Sequence, residues 1–216
     1  MLEINWQRVY WLCGSPCAGK TTIAQRLAAR FDWQIYACDD WFDNHRTRAT
    51  PAEHPTFHRI SHLRGDALWL RPVAEQIAAE VPFFEEQFKL VLEDLALLLQ
   101  QTTQPLLFEG AAALPHQLQA RIPNKQHAFW LIPTERFQLY YYAQRPWIHA
   151  VLAETSAPQQ AFANWMGRDA GLARWLEEQL VEQAMPGLVV DGSLTIEETF
   201  ALVAAHFQGG VSPQRA

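Results

Sequence analysis

Apolar residues along this chain fall into two alternating kinds of run. Five short runs have no polar gap: Val9-Tyr10-Trp11-Leu12-Cys13, Gln34-Ile35-Tyr36-Ala37, Pro105-Leu106-Leu107-Phe108, Ala128-Phe129-Trp130-Leu131-Ile132 and Gly187-Leu188-Val189-Val190. They stop in turn at Gly14, Asp39-Asp40, Glu109-Gly110, Pro133 and Asp191-Gly192. Such runs read as strands buried on both faces. Between them apolar residues recur at helical spacing. Ile23, Leu27 and Ala28 mark a helix from near Lys20 to Arg30. Residues 66–80 read as a helix that Val81-Pro82 interrupts, and Phe84, Phe88, Val91, Leu92 and Leu95 mark its continuation over Phe83 to Gln101. Thr134 is a candidate N-cap for a helix to about Ala143. Residues 172–184 and 195–207 give two more helices.

Strands that alternate with helices predict a parallel sheet covered on both faces, a three-layer α/β fold. Two stretches do not fit the alternation. Residues 41–61 are polar, with room for a short helix, and residues 145–171 are mixed, punctuated by Pro146, Pro158 and Gly167. We read one domain over 1–208, with insertions at 41–65 and 145–170 and a frayed tail at 209–216.

Composition narrows the class. With 49% hydrophobic and 19% charged residues, the 216-residue chain has enough apolar surface for one full core. A net charge of -6 removes the overall basic footprint of a nucleic-acid partner. Three cysteines, Cys13, Cys17 and Cys38, give no disulfide framework and no zinc spacing. The N-terminus has no signal-peptide pattern, and apolar stretches such as 95–99 are too short to span a bilayer. The expectation is a soluble cytoplasmic protein with no nucleic-acid or membrane partner, acting as a monomer or homodimer.

One segment carries specific chemistry. Gly14-Ser15-Pro16-Cys17-Ala18-Gly19-Lys20-Thr21 matches G-x-x-x-x-G-K-[ST] at every fixed position, with a strand before it and a helix after. Glycines let the backbone curl so that N–H groups point at phosphate oxygens, and the helix N-terminus adds its free donors and positive dipole end. Lys20 brings a charge to the β/γ-phosphates, and the Thr21 hydroxyl can hold Mg²⁺. The nucleotide site is therefore Gly14 to Thr22, for ATP or GTP with Mg²⁺ and with a leaning to ATP.

Four further features point toward phosphoryl transfer. Asp39-Asp40-Trp41-Phe42 ends the second strand, where open parallel sheets face their ligands; a carboxylate there can take a hydroxyl proton or order Mg²⁺ through water. Leu107-Phe108-Glu109-Gly110 puts a carboxylate at a Walker-B-like position, with Glu109 as a water-mediated metal ligand. Arg145, Arg168 and Arg174 lie in or beside the second insertion and could form a lid that brings positive charge to the transferring group. Val190-Asp191-Gly192-Ser193 can lie against the base, with Gly192 and Ser193 contacting it. Each has a plainer reading as a solvated strand end, surface cation or common turn.

Together these residues resemble the P-loop small-molecule kinases, among them shikimate, gluconate and uridine kinases and chloramphenicol phosphotransferase. The resemblance covers most of the chain in order and type of elements. It implies a five-stranded sheet of order 2-3-1-4-5, an acceptor-hydroxyl Asp at Asp39 or Asp40, and a lid arginine at Arg145, with Arg168 as rival. The step to Trp41-Phe42 is similar to the D-x-F/Y context of uridine-type kinases and favours Asp39. Gly110-Ala111-Ala112-Ala113 stands where shikimate kinase has a triple-glycine turn, and no D-R-[YH] of thymidylate kinases is present, so the acceptor is not named by similarity. Arg46, Arg48, Arg59 and Arg64, with His45, His54, His58 and His62, fit an anionic or polyhydroxylated acceptor or an ordinary solvated basic loop. Asn124-Lys125-Gln126-His127 begins like the guanine-reading N-K-x-D of GTPases but ends in His and precedes its strand. No L-S-G-G-Q of transport ATPases occurs. The expected activity is an ATP- and Mg²⁺-dependent kinase acting on a small polar or anionic hydroxyl compound; the alternative is a nucleotide sensor or bare ATPase.

Overall fold

A computed structural model describes residues 4–209; most of the expected tail lies outside them. Five strands, β1 (Val9–Cys13), β2 (Gln34–Ala37), β3 (Leu106–Gly110), β4 (Ala128–Pro133) and β5 (Gly187–Val190), form one parallel sheet of order β2-β3-β1-β4-β5. Alternate residues of the central strands point to opposite faces and bury in two separate cores, as a period-2 backbone requires. Val9, Trp11, Cys13, Phe108 and Trp130 pack with helices α5 (Val73–Gln101) and α9 (Pro158–Glu182). Tyr10, Leu12, Leu107 and Leu131 pack with α1 (Lys20–Phe31) and α10 (Ile196–Gln208) on the other side. This is the expected three-layer architecture. No helix among the described residues is long and apolar enough to cross a membrane.

The first insertion is more helical than its polarity suggests: α2 (Phe42–Arg48), α3 (Pro55–Ser61) and α4 (Gly65–Trp69) follow one another there. Buried Phe57 joins α3 to α2 and to α5, packing 5.7 Å from Phe42 and 4.8 Å from Phe83 between ring centroids. After β3 comes the short α6 (Pro115–Gln119). Then α7 (Glu135–Tyr142), capped by the Thr134 hydroxyl, and α8 (Pro146–Ala153) flank the start of the second insertion.

Two helix boundaries correct the sequence reading. The break falls at Pro72, not at Val81-Pro82, and α5 runs through Pro82. An internal proline forfeits one backbone hydrogen bond and costs about 3 kcal/mol. Here the buried residues Phe88, Leu90, Val91 and Leu95, further along the same helix, supply the compensating packing. Likewise α9 begins at Pro158 and runs through Gly167 and Gly171, where a mixed segment was expected. Gly171 does not punctuate the helix but lets it approach α5: a Cβ there would lie 2.6 Å from the Ile77 side chain. Residues 109–110, expected as a strand stop, continue β3, with Glu109 opposite Leu12 and Ala37.

Candidate active site

The phosphate loop joins β1 to α1, and its curl is visible in the backbone. Gly14, Cys17 and Gly19 have φ of 128°, 70° and 77°. At Gly14 no other residue fits, since a Cβ would sit 1.9 Å from the Leu131 carbonyl oxygen of β4. Gly19 stands at the N-cap of α1 with no side-chain cap, so the first N–H groups of that helix keep their donors for a ligand. Lys20 is buried, and its Nζ donates to the Ser15 carbonyl at 2.8 Å, folding the charge back over the loop.

Two strand ends bring three carboxylates beside it. Glu109, at the end of β3, is 7% exposed and hydrogen-bonded to Thr21. Burial raises its pKa; Asp39 and Asp40 push the same way, while Lys20 and the Thr21 hydrogen bond pull it down, and the net position is above the ordinary value. Asp39 and Asp40 are exposed on a 3-10 turn, Cys38–Trp41, that continues β2. Lys20, Thr21, Glu109, Asp39 and Asp40 thus share one electrostatic neighbourhood at the carboxyl ends of β1, β2 and β3.

A network under this turn fixes it, and sequence reasoning missed it. His45 Nε2 lies 2.7 Å from Asp94 Oδ2, the Tyr36 hydroxyl donates to the same oxygen at 2.8 Å, and Arg48 pairs with Asp94 Oδ1. Gln87 donates to His45 Nδ1 at 3.2 Å and reaches the Cys38 sulfur at 3.5 Å. Burial raises the pKa of Asp94, but hydrogen bonds from His45, Arg48 and Tyr36 outweigh it and hold the carboxyl below its ordinary range. One signal was available: Asp94 interrupts the apolar stripe Val91, Leu95, Leu98 of α5. A carboxylate on a buried stripe demands partners.

On the opposite side of the loop a cavity of about 660 Å³ opens, lined among others by Gly19, Thr22, Tyr141, Arg145, Gly192 and Ser193. The expected base-contacting turn and the expected lid arginine therefore face one another across a space of ligand size. The Arg145 guanidinium lies 4.8 Å from the Tyr142 ring centroid and 5.8 Å from that of Trp147, with Nη2 3.6 Å from the Cys17 sulfur. Phe137 and Thr199 also line this cavity and had no sequence signal of their own.

Arg168 stands apart from that cavity. It is held on α9 by Asp169 Oδ1 at 2.7 Å and by Glu80 at 3.5 Å, and lies 5.1 Å over the Trp69 ring. Burial opposes its charge, but the two carboxylates more than offset that and raise its pKa. The same helix turn meets the phosphate loop, with the Ser15 hydroxyl 3.4 Å from the Asp169 carbonyl. Glu80 is pushed up to about 7 by burial, against the pull of Arg168. Arg174 points away, 3.8 Å from Glu135 on the surface.

Sheet order and loop define a three-layer α/β fold of the P-loop type. No family model and no curated protein matches the chain. Among solved structures it is similar to deoxyadenosine kinase from M. mycoides with bound dATP, at 10% identity, over 93% of this chain and 99% of that one, TM-score 0.48. It is also similar to shikimate kinase from Acinetobacter baumannii in complex with shikimate, at 18% identity, over 90% and 89% of the two chains, TM-score 0.44. A third is TT1252 from Thermus thermophilus, at 18% identity, over 91% and 96%, TM-score 0.47.

Proposed function

We propose that the protein is an ATP- and magnesium-dependent kinase that transfers the γ-phosphoryl group to a hydroxyl of a small polar or anionic molecule. The observation that carries this reading is the gathering of Lys20, Thr21, Glu109 and the Asp39–Asp40 pair at three adjacent strand ends. A sensor needs the loop and a metal carboxylate. It has no use for an exposed acidic turn anchored from beneath by a buried network.

The residues fit Mg²⁺. Thr21 offers a hydroxyl and Glu109 a carboxylate already in contact with it. Among the described residues no group of three or more His, Cys, Asp or Glu forms an all-protein metal cage. That is the donor set Mg²⁺ takes in phosphoryl transfer, where phosphates and water complete the shell. When bound, the ion neutralises charge developing on the phosphate oxygens.

The chain's own residues supply the rest. The loop from Gly14 to Thr22 grips the nucleotide phosphates, and the base lies in the cavity between Arg145 and Gly192–Ser193. Asp39 or Asp40 orients the acceptor hydroxyl and receives its proton. Lys20, released from Ser15, stabilises the transferring group. Arg145 adds charge from the lid side, and Arg168 from α9. The test is a panel of hydroxylated metabolites scored by ADP release. Turnover that rises with one compound supports the kinase; release independent of acceptor, or nucleotide binding without turnover, sinks it in favour of an ATPase or sensor.

A further inference from the structure

A second cavity, of about 810 Å³, is larger than the one beside the phosphate loop and shares no lining residue with it. It lies toward the other end of the sheet. Trp6 belongs to a 3-10 turn, Trp6–Arg8, that leads into the amino end of β1, and it lines the cavity with Leu92 and Leu97 of α5. The loop between α2 and α3 adds Glu53 and His54. Lys89 of α5 ties that loop down, its ammonium donating to the Glu53 carbonyl at 2.8 Å. The volume is that of a small-molecule pocket.

His54 gives this lining its chemistry. It is 3% exposed, and its Nδ1 accepts the Thr50 N–H at 3.3 Å. Burial, then the Lys89 charge, lower its pKa, so at neutral pH the ring is uncharged and carries its proton on Nε2. That N–H has no partner among the described residues. A buried donor left without an acceptor is costly, and a ligand in the cavity removes the cost. Charge on the same lining points the same way. Among the described residues no carboxylate lies within 4.0 Å of the Lys89 ammonium or of the Arg121 guanidinium, which also lines the cavity. Of the two carboxylates there, Glu93 is taken up by Arg48 at 2.6 Å, and Glu53 is exposed. The balance left is two cations against one carboxylate. The apolar part is equally defined: Trp6 is half-buried, stacked on Trp11 at 5.9 Å, and Leu97 is 48% exposed.

We propose that this cavity is a second small-molecule site, separate from the nucleotide and acceptor sites, for a compound with an apolar ring and one carboxylate or phosphate group. The oxyanion meets the His54 Nε2–H and the Lys89 ammonium, with Arg121 adding charge. The ring lies against Trp6, Leu92 and Leu97. Charge-assisted hydrogen bonds hold either oxyanion, and the apolar wall rewards the body that carries it. This site does not depend on the kinase reading above.

The test titrates the full chain calorimetrically with naphthoate, naphthyl phosphate and neutral naphthol, with Mg²⁺ and excess AMP-PNP present to fill the phosphate loop. At least one of the two anions binds, and naphthol binds at least about tenfold more weakly; which anion binds separates a carboxylate from a phosphate ligand. Lys89→Gln weakens the anion by at least about tenfold, as expected for one lost charge-assisted pair. Leu97→Asp, at an exposed position, sets a negative charge at the cavity and weakens it as well. Arg26→Gln, which removes a cation on α1 outside the cavity, binds like wild type. If neither anion binds, if naphthol binds as tightly, or if Lys89→Gln and Leu97→Asp bind as wild type does, the proposal is overturned.

Discussion

His45 and Asp94 form a buried pair, Nε2 to Oδ2 at 2.7 Å with side-chain exposures of 0% and 3%, and it ties α2 to α5 beneath the acidic turn. Gln87 lies 3.2 Å from Nδ1 on the other side of the ring, and the Tyr36 hydroxyl lies 3.0 Å from Nε2. Tyr36 before the turn and His45 after it thus share one acceptor. Asp39 and Asp40 are held from both sides without being touched.

Removing the Asp94 charge should destabilise the whole acceptor side. Asp94→Ala removes the carboxylate that His45, Tyr36 and Arg48 share, and losing a buried hydrogen-bonding partner costs about 1–3 kcal/mol. Because the folded pKa of Asp94 is depressed, its contribution is present above its ordinary carboxylate range and is lost as pH falls through the folded value. Urea unfolding of wild type should therefore weaken at acid pH, and Asp94→Asn should flatten that limb. An unchanged acid limb in Asp94→Asn would refute this assignment.

Glu80 predicts a slope of the opposite sign. Its folded pKa, about 7, lies above the ordinary 4.5, so between those values the native state holds the extra proton and stability falls as pH rises. The loss is on the order of 3 kcal/mol across that window. Glu80→Gln should remove it while Asp169 keeps Arg168 in place. Denaturant midpoints from pH 4.5 to 7 are the measurement; parallel curves for the two proteins would show that Glu80 titrates normally.

Lys20→Ala should abolish phosphoryl transfer and leave the fold intact. The Lys20 ammonium contacts the Ser15 carbonyl, not the core, so little packing is lost. Full ADP release by a well-folded Lys20→Ala protein would sink the nucleotide reading.

Nucleotide binding should place the base in the cavity between Arg145 and Gly192–Ser193. Arg145→Ala should raise the KM for ATP by about tenfold, the worth of one stacked or charge-assisted contact. A complex with the base bound outside this cavity would remove the turn from the site.

Asp39→Asn and Asp40→Asn separate the acceptor base from its neighbour. Loss of a general base costs about 10²-fold or more, whereas a positioning role costs about tenfold in a loose transition state. Nucleotide affinity should stay near wild type in both. The larger fall identifies the base, and wild-type turnover in both variants would remove this strand end from the mechanism.

The sequence alone determined the five strands, their parallel class and the phosphate loop, because these follow from local rules. Uninterrupted apolar runs mark strands buried on both faces, and G-x-x-x-x-G-K-T satisfies a single ligand group through contiguous backbone. Sheet order was available only through the family resemblance, since nothing local says which strand lies beside which. Helix limits at Pro72, Pro82, Gly167 and Gly171 were decided by tertiary packing: Pro82 is tolerated in a helix that buries one side against α9, and Gly171 is needed where Ile77 approaches to contact. The roles of the arginines were likewise decided by partners far along the chain. Arg46, Arg48, Arg59 and Arg64 look alike in sequence, but among the described residues the fold brings carboxylates to Arg46 and Arg48, while Arg64 turns back on the Ser61 and Leu63 carbonyls. Asp94 makes the same point, for it meets Tyr36 and His45 from 58 and 49 residues away. Electrostatic partnership depends on distance in space, and that distance is fixed only when the layers pack.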